Sequence, residues 1–168
     1  MLFRSAAAIA CQQRLAELNR NESSFRGKTL GQRIGINTGR ALVGNIGSRR
    51  RFNYTVMGDT VNVASRLEGT NKVYDTQILV SETTVAAAGD AILWREIDRV
   101  RVKGRAHPIA VFEPLAIGAG TPEMRAAADL FAGLTDDASA ARFAAAARAF
   151  TASPPDADWE PVTTLDTK

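Results

Sequence analysis

Hydrophobic and polar positions along the chain alternate between helical and extended spacing. From residue 4 to 19 the apolar positions Ala8, Cys11, Leu15 and Leu18 recur at intervals of three and four, which predicts a helix with Cys11 as a small buried hydrophobe. The polar run NRNESSFRGK over 19–28 ends it. Arg33 to Asn37, RIGIN, alternates in the manner of a half-buried strand, and Ala41 to Ile46 supplies a second apolar run. Glycines at 35, 39, 44 and 47 punctuate this pair and predict tight turns or close backbone approach.

The next stretch, Phe52 to Glu68, opens as an extended polar and aromatic segment, turns at Gly58 and continues with helical spacing. Asp59 or Thr60 is placed to cap the helix start, since a short side-chain oxygen accepts from the free N–H groups of a first turn. At about 100° per residue, Asn62 and Arg66 project from one side, and Val61, Ala64 and Leu67 from roughly the opposite one. The polar side is either a solvated face or a ligand face, because an amide one turn from a planar, permanently charged guanidinium suits hydroxyls and phosphates.

Further on, Gln77 to Val80 reads as a short strand and Ser81 to Ala88 as a short helix capped by Ser81. Ile92 to Val102 is strand-like but interrupted by charge, Lys103-Gly104-Arg105 forms a turn, and Pro108 to Leu115 is another strand. This mixed order makes the class α/β or α+β with a partly antiparallel sheet. The composition shifts at Ile117: residues 117–121 read as a linker, 122–152 as an alanine-rich helical hairpin and 153–168 as a loose tail.

Length and composition narrow the picture. A chain of 168 residues with 45% hydrophobic content supports one domain with an appendage. The net charge of +3, without a basic run interleaved with aromatics, gives no sign of nucleic acid as a partner. The single cysteine excludes an internal disulfide framework and a multi-cysteine metal site, so a reduced cytoplasmic setting is the default. His107, the sole histidine, falls in an exposed turn before Pro108, with no partner for a metal role. No apolar run of membrane-spanning length occurs in the sequence. The run GRALVGNIGS lacks both the Gly-Lys-Ser/Thr ending of a P-loop and the GxGxxG spacing of a dinucleotide fold.

RIGINTGRALVGNIGSRRRFNYTVMGDTVNVASRLEGTNK, followed by ILVSE and VRVKGRAHPIAVFEPL, strongly resembles the class III adenylate and guanylate cyclase catalytic domain over residues 2–115. The resemblance implies an α+β, ferredoxin-like nucleotide cyclase fold, with a mixed, largely antiparallel sheet, flanking helices and, here, a C-terminal helical tail after residue 116. In that family two catalytic domains pair head to tail, as a homodimer or with a second cyclase domain, and ATP lies at their interface. The 3′-hydroxyl attacks the α-phosphate, giving cyclic AMP and pyrophosphate, a reaction dominated by positioning and charge stabilisation. Carried over by position, Asn62 contacts the ribose and Arg66 stabilises the α-phosphate in the transition state. Arg50 and Lys103 contact the phosphates, and Thr55 reads the purine. A threonine hydroxyl can accept from the adenine amino group, which favours ATP over GTP.

The resemblance also implies what these residues do not include. The family holds Mg2+ or Mn2+ on two aspartates, from a first-strand Phe-x-Asp-Ile-x-Gly-Phe type segment and a later hairpin, and neither motif occurs here. The expectation is a domain truncated at its N-terminus, with no metal ligands of its own and a sheet edge or apolar face left uncovered. Those ligands would come from an upstream segment or a partner. Family members often carry N-terminal sensor or membrane segments, with the catalytic domain on the cytoplasmic side. Two functions follow: an adenylate cyclase portion active when completed, or a non-catalytic remnant serving as a dimerisation or nucleotide-binding module.

Overall fold

The sheet is built outward from a strand in which every position, Ile78, Leu79, Val80 and Ser81, is buried. A run of this kind suits a strand covered on both faces. A computed structural model describes residues 2–21, 28–48, 51–102, 107–117 and 163–165. The elements are α1 (Leu2–Asn21), β1 (Ile34–Ile36), β2 (Leu42–Ser48), β3 (Arg51–Met57), α2 (Asp59–Tyr74), β4 (Ile78–Ser81), α3 (Glu82–Ala88), β5 (Ile92–Val102), β6 (Ile109–Ile117) and β7 (Thr163–Leu165).

Five strands form one sheet in the order β1-β4-β6-β5-β7. β1 runs parallel to β4, β6 is antiparallel to both of its neighbours, and β7 runs parallel to β5. The mixed sheet with helices is the α+β class expected. Strand alternation sorts the core into two layers. Leu79 joins Val63, Leu67 and Tyr74 of α2, with Val100 and Val111, on one face. Ile78 and Val80 join Ala8 and Ile9 of α1, Ile92 and the half-buried Val85 of α3 on the other. Each fully buried aliphatic side chain contributes about 1.5–3 kcal/mol, so these two layers carry most of the stability.

Residue choices on both sides let α2 lie close to β1. A Cβ at Gly35 would come within 2.1 Å of the Ala64 carbonyl oxygen, so only glycine permits this approach. The buried Asn71 then fastens the far end of α2: its Nδ2 donates to Ile34 O at 3.1 Å and Leu67 O at 2.9 Å, and its Oδ1 accepts from Thr76 Oγ1 at 2.9 Å. The backbone of Asp75, in the left-handed region at φ 53°, closes the helix.

Several expected details differ. The buried face of α1 holds Ser5, Ala8 and Ile9, whereas Cys11 is exposed and Leu15 and Leu18 are half-buried. Alanines occur on several sides of α1, so spacing alone could not single out a face, and Cys11 lies about 200° round the helix from Ile9. On α2 the buried positions are Val63, Leu67, Thr70, Asn71 and Tyr74, while Val61 and Ala64 are only half-buried. The sheet meets α2 along the side centred on Val63 and Leu67, and glycine at 35 brings the helix backbone, not the Ala64 methyl, to the contact. Within the stretch expected to be loose, Thr163–Leu165 forms a strand on the edge of β5. Ile117, expected as the first residue of the linker, ends β6, and the rest of the linker (118–121) and the 122–152 hairpin lie outside the described residues. Among the described residues no helix is long and apolar enough to cross a membrane.

Candidate nucleotide-facing site

β2 and β3 stand apart from the main sheet as an antiparallel hairpin, paired from Leu42↔Met57 to Ser48↔Arg51. All seven β3 residues are exposed, including Tyr54 at 77%, Phe52 at 60% and Met57 at 49%. Thr55 sits in this strand opposite Gly44, near the end that leads into α2.

The chain then turns at Gly58, whose φ of 138° and ψ of 167° belong to a region open to glycine and costly for other residues. Gly58 occupies the N-cap position, without a side-chain cap. Neither Asp59 nor Thr60 caps the helix as expected: Asp59 is already its first residue, and the Thr60 hydroxyl donates to Arg40 O at 2.8 Å. The Gly58 carbonyl instead accepts from the backbone N–H groups of Val61 at 3.1 Å and Asn62 at 3.2 Å. From here Asn62 is exposed and Arg66, one turn on, is half-buried. Thr55, Asn62 and Arg66 are thus carried by a single strand–turn–helix unit.

Asn37 anchors that unit to the sheet. Its Nδ2 donates to the Thr60 carbonyl in the first turn of α2 at 3.0 Å, and its Oδ1 accepts from Ser81 Oγ at 2.6 Å. Ser81 stands at the N-cap of α3 but makes no side-chain cap bond there, because its hydroxyl is directed to Asn37. Nothing in the spacing of the sequence singles out Asn37 or Asn71. A lone amide at a strand end or inside a helix carries no periodic signal, and only the tertiary partners reveal what it does.

Arg50 and Lys103, the two expected phosphate contacts, lie outside the described residues. A cleft of about 380 Å³ between α1, the α2–β4 connection and β6 is lined by residues including Gln12, Asp75, Gln77 and Glu113. It contains none of Thr55, Asn62 and Arg66. Among the described residues no three His, Cys, Asp or Glu side chains gather in an arrangement able to hold a metal ion. On Thr55, Asn62 and Arg66 the unit offers a hydroxyl, an amide and a guanidinium, a set suited to hydroxyls and phosphates rather than to divalent cations.

The family model described as the adenylate and guanylate cyclase catalytic domain matches residues 5–113. The chain belongs to this family. The cyclase domain is 40% identical over 110 residues to adenylate cyclase 1 of Rhizobium meliloti (strain 1021), covering 66% of this chain and 16% of that protein. It is also 40% identical over 114 residues to an adenylate cyclase of Anabaena cylindrica, covering 64% of this chain and 23% of that protein. The chain thus spans less than a quarter of the length of these two curated relatives. Among solved structures, the adenylyl cyclase CyaB from P. aeruginosa superposes with a TM-score of 0.55 at 34% identity, over 64% of this chain and 55% of that one. The guanylyl cyclase Cya2 gives 0.54 at 32% identity, over 73% and 63%. The fold and family expected from the central motif are those found.

Proposed function

We propose that this chain supplies the nucleotide-holding half of an adenylate cyclase site, converting ATP to cyclic AMP and pyrophosphate when a metal-binding segment or second cyclase domain completes it. The observation that carries the reading is the placing of Thr55, Asn62 and Arg66 on one unit whose strand is open to solvent and whose helix is locked to the core. Thr55 reads the adenine, its hydroxyl accepting from the amino group. Asn62 fixes the ribose so that its 3′-hydroxyl lies in line with the α-phosphate, a positioning role. Arg66 stabilises the charge that grows on the α-phosphate. Arg50 and Lys103 hold the remaining phosphates by their positions in the family motif. Family chemistry draws on Mg2+ or Mn2+ to neutralise the triphosphate and activate the hydroxyl. The ligands for those ions belong to the completing segment or partner.

A second reading, a non-catalytic module that dimerises or binds nucleotide without turnover, is favoured by the lack of a metal-binding cluster among the described residues. The two separate in one experiment. The chain is joined to a cyclase segment carrying both metal aspartates, and cyclic AMP is measured with manganese and ATP. Product that falls on Asn62→Ala and Arg66→Ala supports the first reading. No product from a folded, completed protein supports the second.

A further inference from the structure

The outer edge of β5 is a second place where the sequence pattern and the structure part company. Along β5 the pairing with β6 slips between Glu96 and Asp98: Glu96 faces Phe112, Asp98 faces Val111, and Ile97 is the extra residue. A bulge of this kind turns the following side chains onto the other face. Ile97 and Val100 both enter the α2 layer of the core, and Asp98 reaches Tyr74 at the end of α2, whose hydroxyl donates to Asp98 Oδ2 at 2.5 Å. The same Oδ2 accepts from the hydroxyl of Thr163, while Oδ1 accepts from the backbone N–H of Arg99 at 2.6 Å. Thr163 is paired with Val100, Thr164 with Arg101 and Leu165 with Val102.

We infer that the β5 edge is a strand-docking site keyed by Asp98, and that its occupant is this chain's own segment Thr163–Leu165, held in cis. Three features carry this. An edge strand offers a row of free N–H and C=O groups that any extended segment could pair with, so an edge left open invites unspecific association. The ladder alone selects no sequence and no register. Asp98 supplies both, because a carboxylate aimed by the bulge makes a charge-assisted bond to a hydroxyl only when a Ser or Thr stands opposite Val100. The family-model match ends at residue 113, and the docked segment lies beyond it. Since Asp98 also holds Tyr74, the segment is tied through one carboxylate to the helix that carries Asn62 and Arg66.

Amide hydrogen exchange on the full 168-residue chain tests this without any assay of turnover. The β5 amides that point toward β7 should be protected in the wild type. Thr164→Pro, which removes a backbone donor and fixes φ, should release them while the amides that point toward β6 keep their protection. Thr163→Val, near in shape but without the hydroxyl, should speed exchange at that edge about tenfold, as should Asp98→Asn to a similar or smaller degree. Thr163→Ser should restore protection to within about twofold of wild type. The proposal is overturned if the β7-facing amides exchange as fast in the wild type as in Thr164→Pro, or if Thr163→Ser and Thr163→Val behave alike. Protection that rises with protein concentration would overturn the cis arrangement and assign the edge to a second copy.

Discussion

β6 and β3 both carry large apolar side chains and end in opposite surroundings. IAVFEPLAI of β6 is buried at Ile109, Ala110, Val111 and Pro114, flanked by β4 and β5 and covered by helices on both faces. RFNYTVM of β3 carries Phe52, Tyr54, Val56 and Met57, pairs among the described residues only with β2, and is exposed throughout. An apolar strand therefore does not by itself mean core. In β6 the side chains hold the domain together, whereas in β3 they form a patch rarely left bare, and an isolated hairpin is marginal in water. Under the proposed function that patch is where a second cyclase domain closes over the nucleotide.

The comparison can be broken most sharply by truncating one buried and one exposed side chain. Leu67→Ala, at a fully buried position against the sheet, should cost about 2–5 kcal/mol in urea unfolding, whereas Tyr54→Ala should stay within about 0.5 kcal/mol. Equal losses would mean that the hairpin is part of the core. The glycines offer a second contrast. Gly35→Ala forces a Cβ to within 2.1 Å of the Ala64 carbonyl and should cost about 1–3 kcal/mol or more, whereas Gly44→Ala meets nothing within 4 Å and should be neutral or slightly stabilising. Asn71→Leu removes the partner of Ile34 O and Thr76 Oγ1 and should cost about 1–3 kcal/mol, with the helix end of α2 losing exchange protection first. Smallest in stability, but decisive for the role of the hairpin, is the pair Phe52→Ser and Tyr54→Ser. It should leave unfolding of the isolated chain nearly unchanged and weaken association with a second cyclase domain in sedimentation analysis.

The same contrast explains what could be read in advance. Elements with strong periodicity and clear punctuation stood out: the turn at Gly58, the long β5 and the strand–helix pair at 78–88 all occur close to where spacing put them. The family was legible because GDTVNVASRLE is a specific string. Faces were less legible. Cys11 was misplaced because α1 has small apolar residues on several sides, and Val61 because the close approach at Gly35 sets how α2 rolls on the sheet. Side-chain capping bonds are missing for a related reason: Thr60 and Ser81 have capping chemistry, and Ser81 does occupy the N-cap of α3, but Arg40 O and Asn37 Oδ1 compete for their hydroxyls through tertiary contacts. The strand at Thr163–Leu165 has no local signature, since its partner lies some sixty residues away along the chain. Of the five site residues named from the motif, Thr55, Asn62 and Arg66 fall on one structural unit, and Arg50 and Lys103 lie outside the described residues.

The central claim is that Asn62 and Arg66 act on ATP in a site this chain only half supplies. It is tested most directly by cyclic AMP formation from ATP and manganese in a protein joining the chain to a segment with the two metal aspartates. The account predicts turnover that falls about 10²–10³-fold in Arg66→Ala and by a comparable factor in Asn62→Ala, with the unfolding midpoint unchanged. Turnover that survives both substitutions, or a folded and completed protein that makes no cyclic AMP, would contradict it.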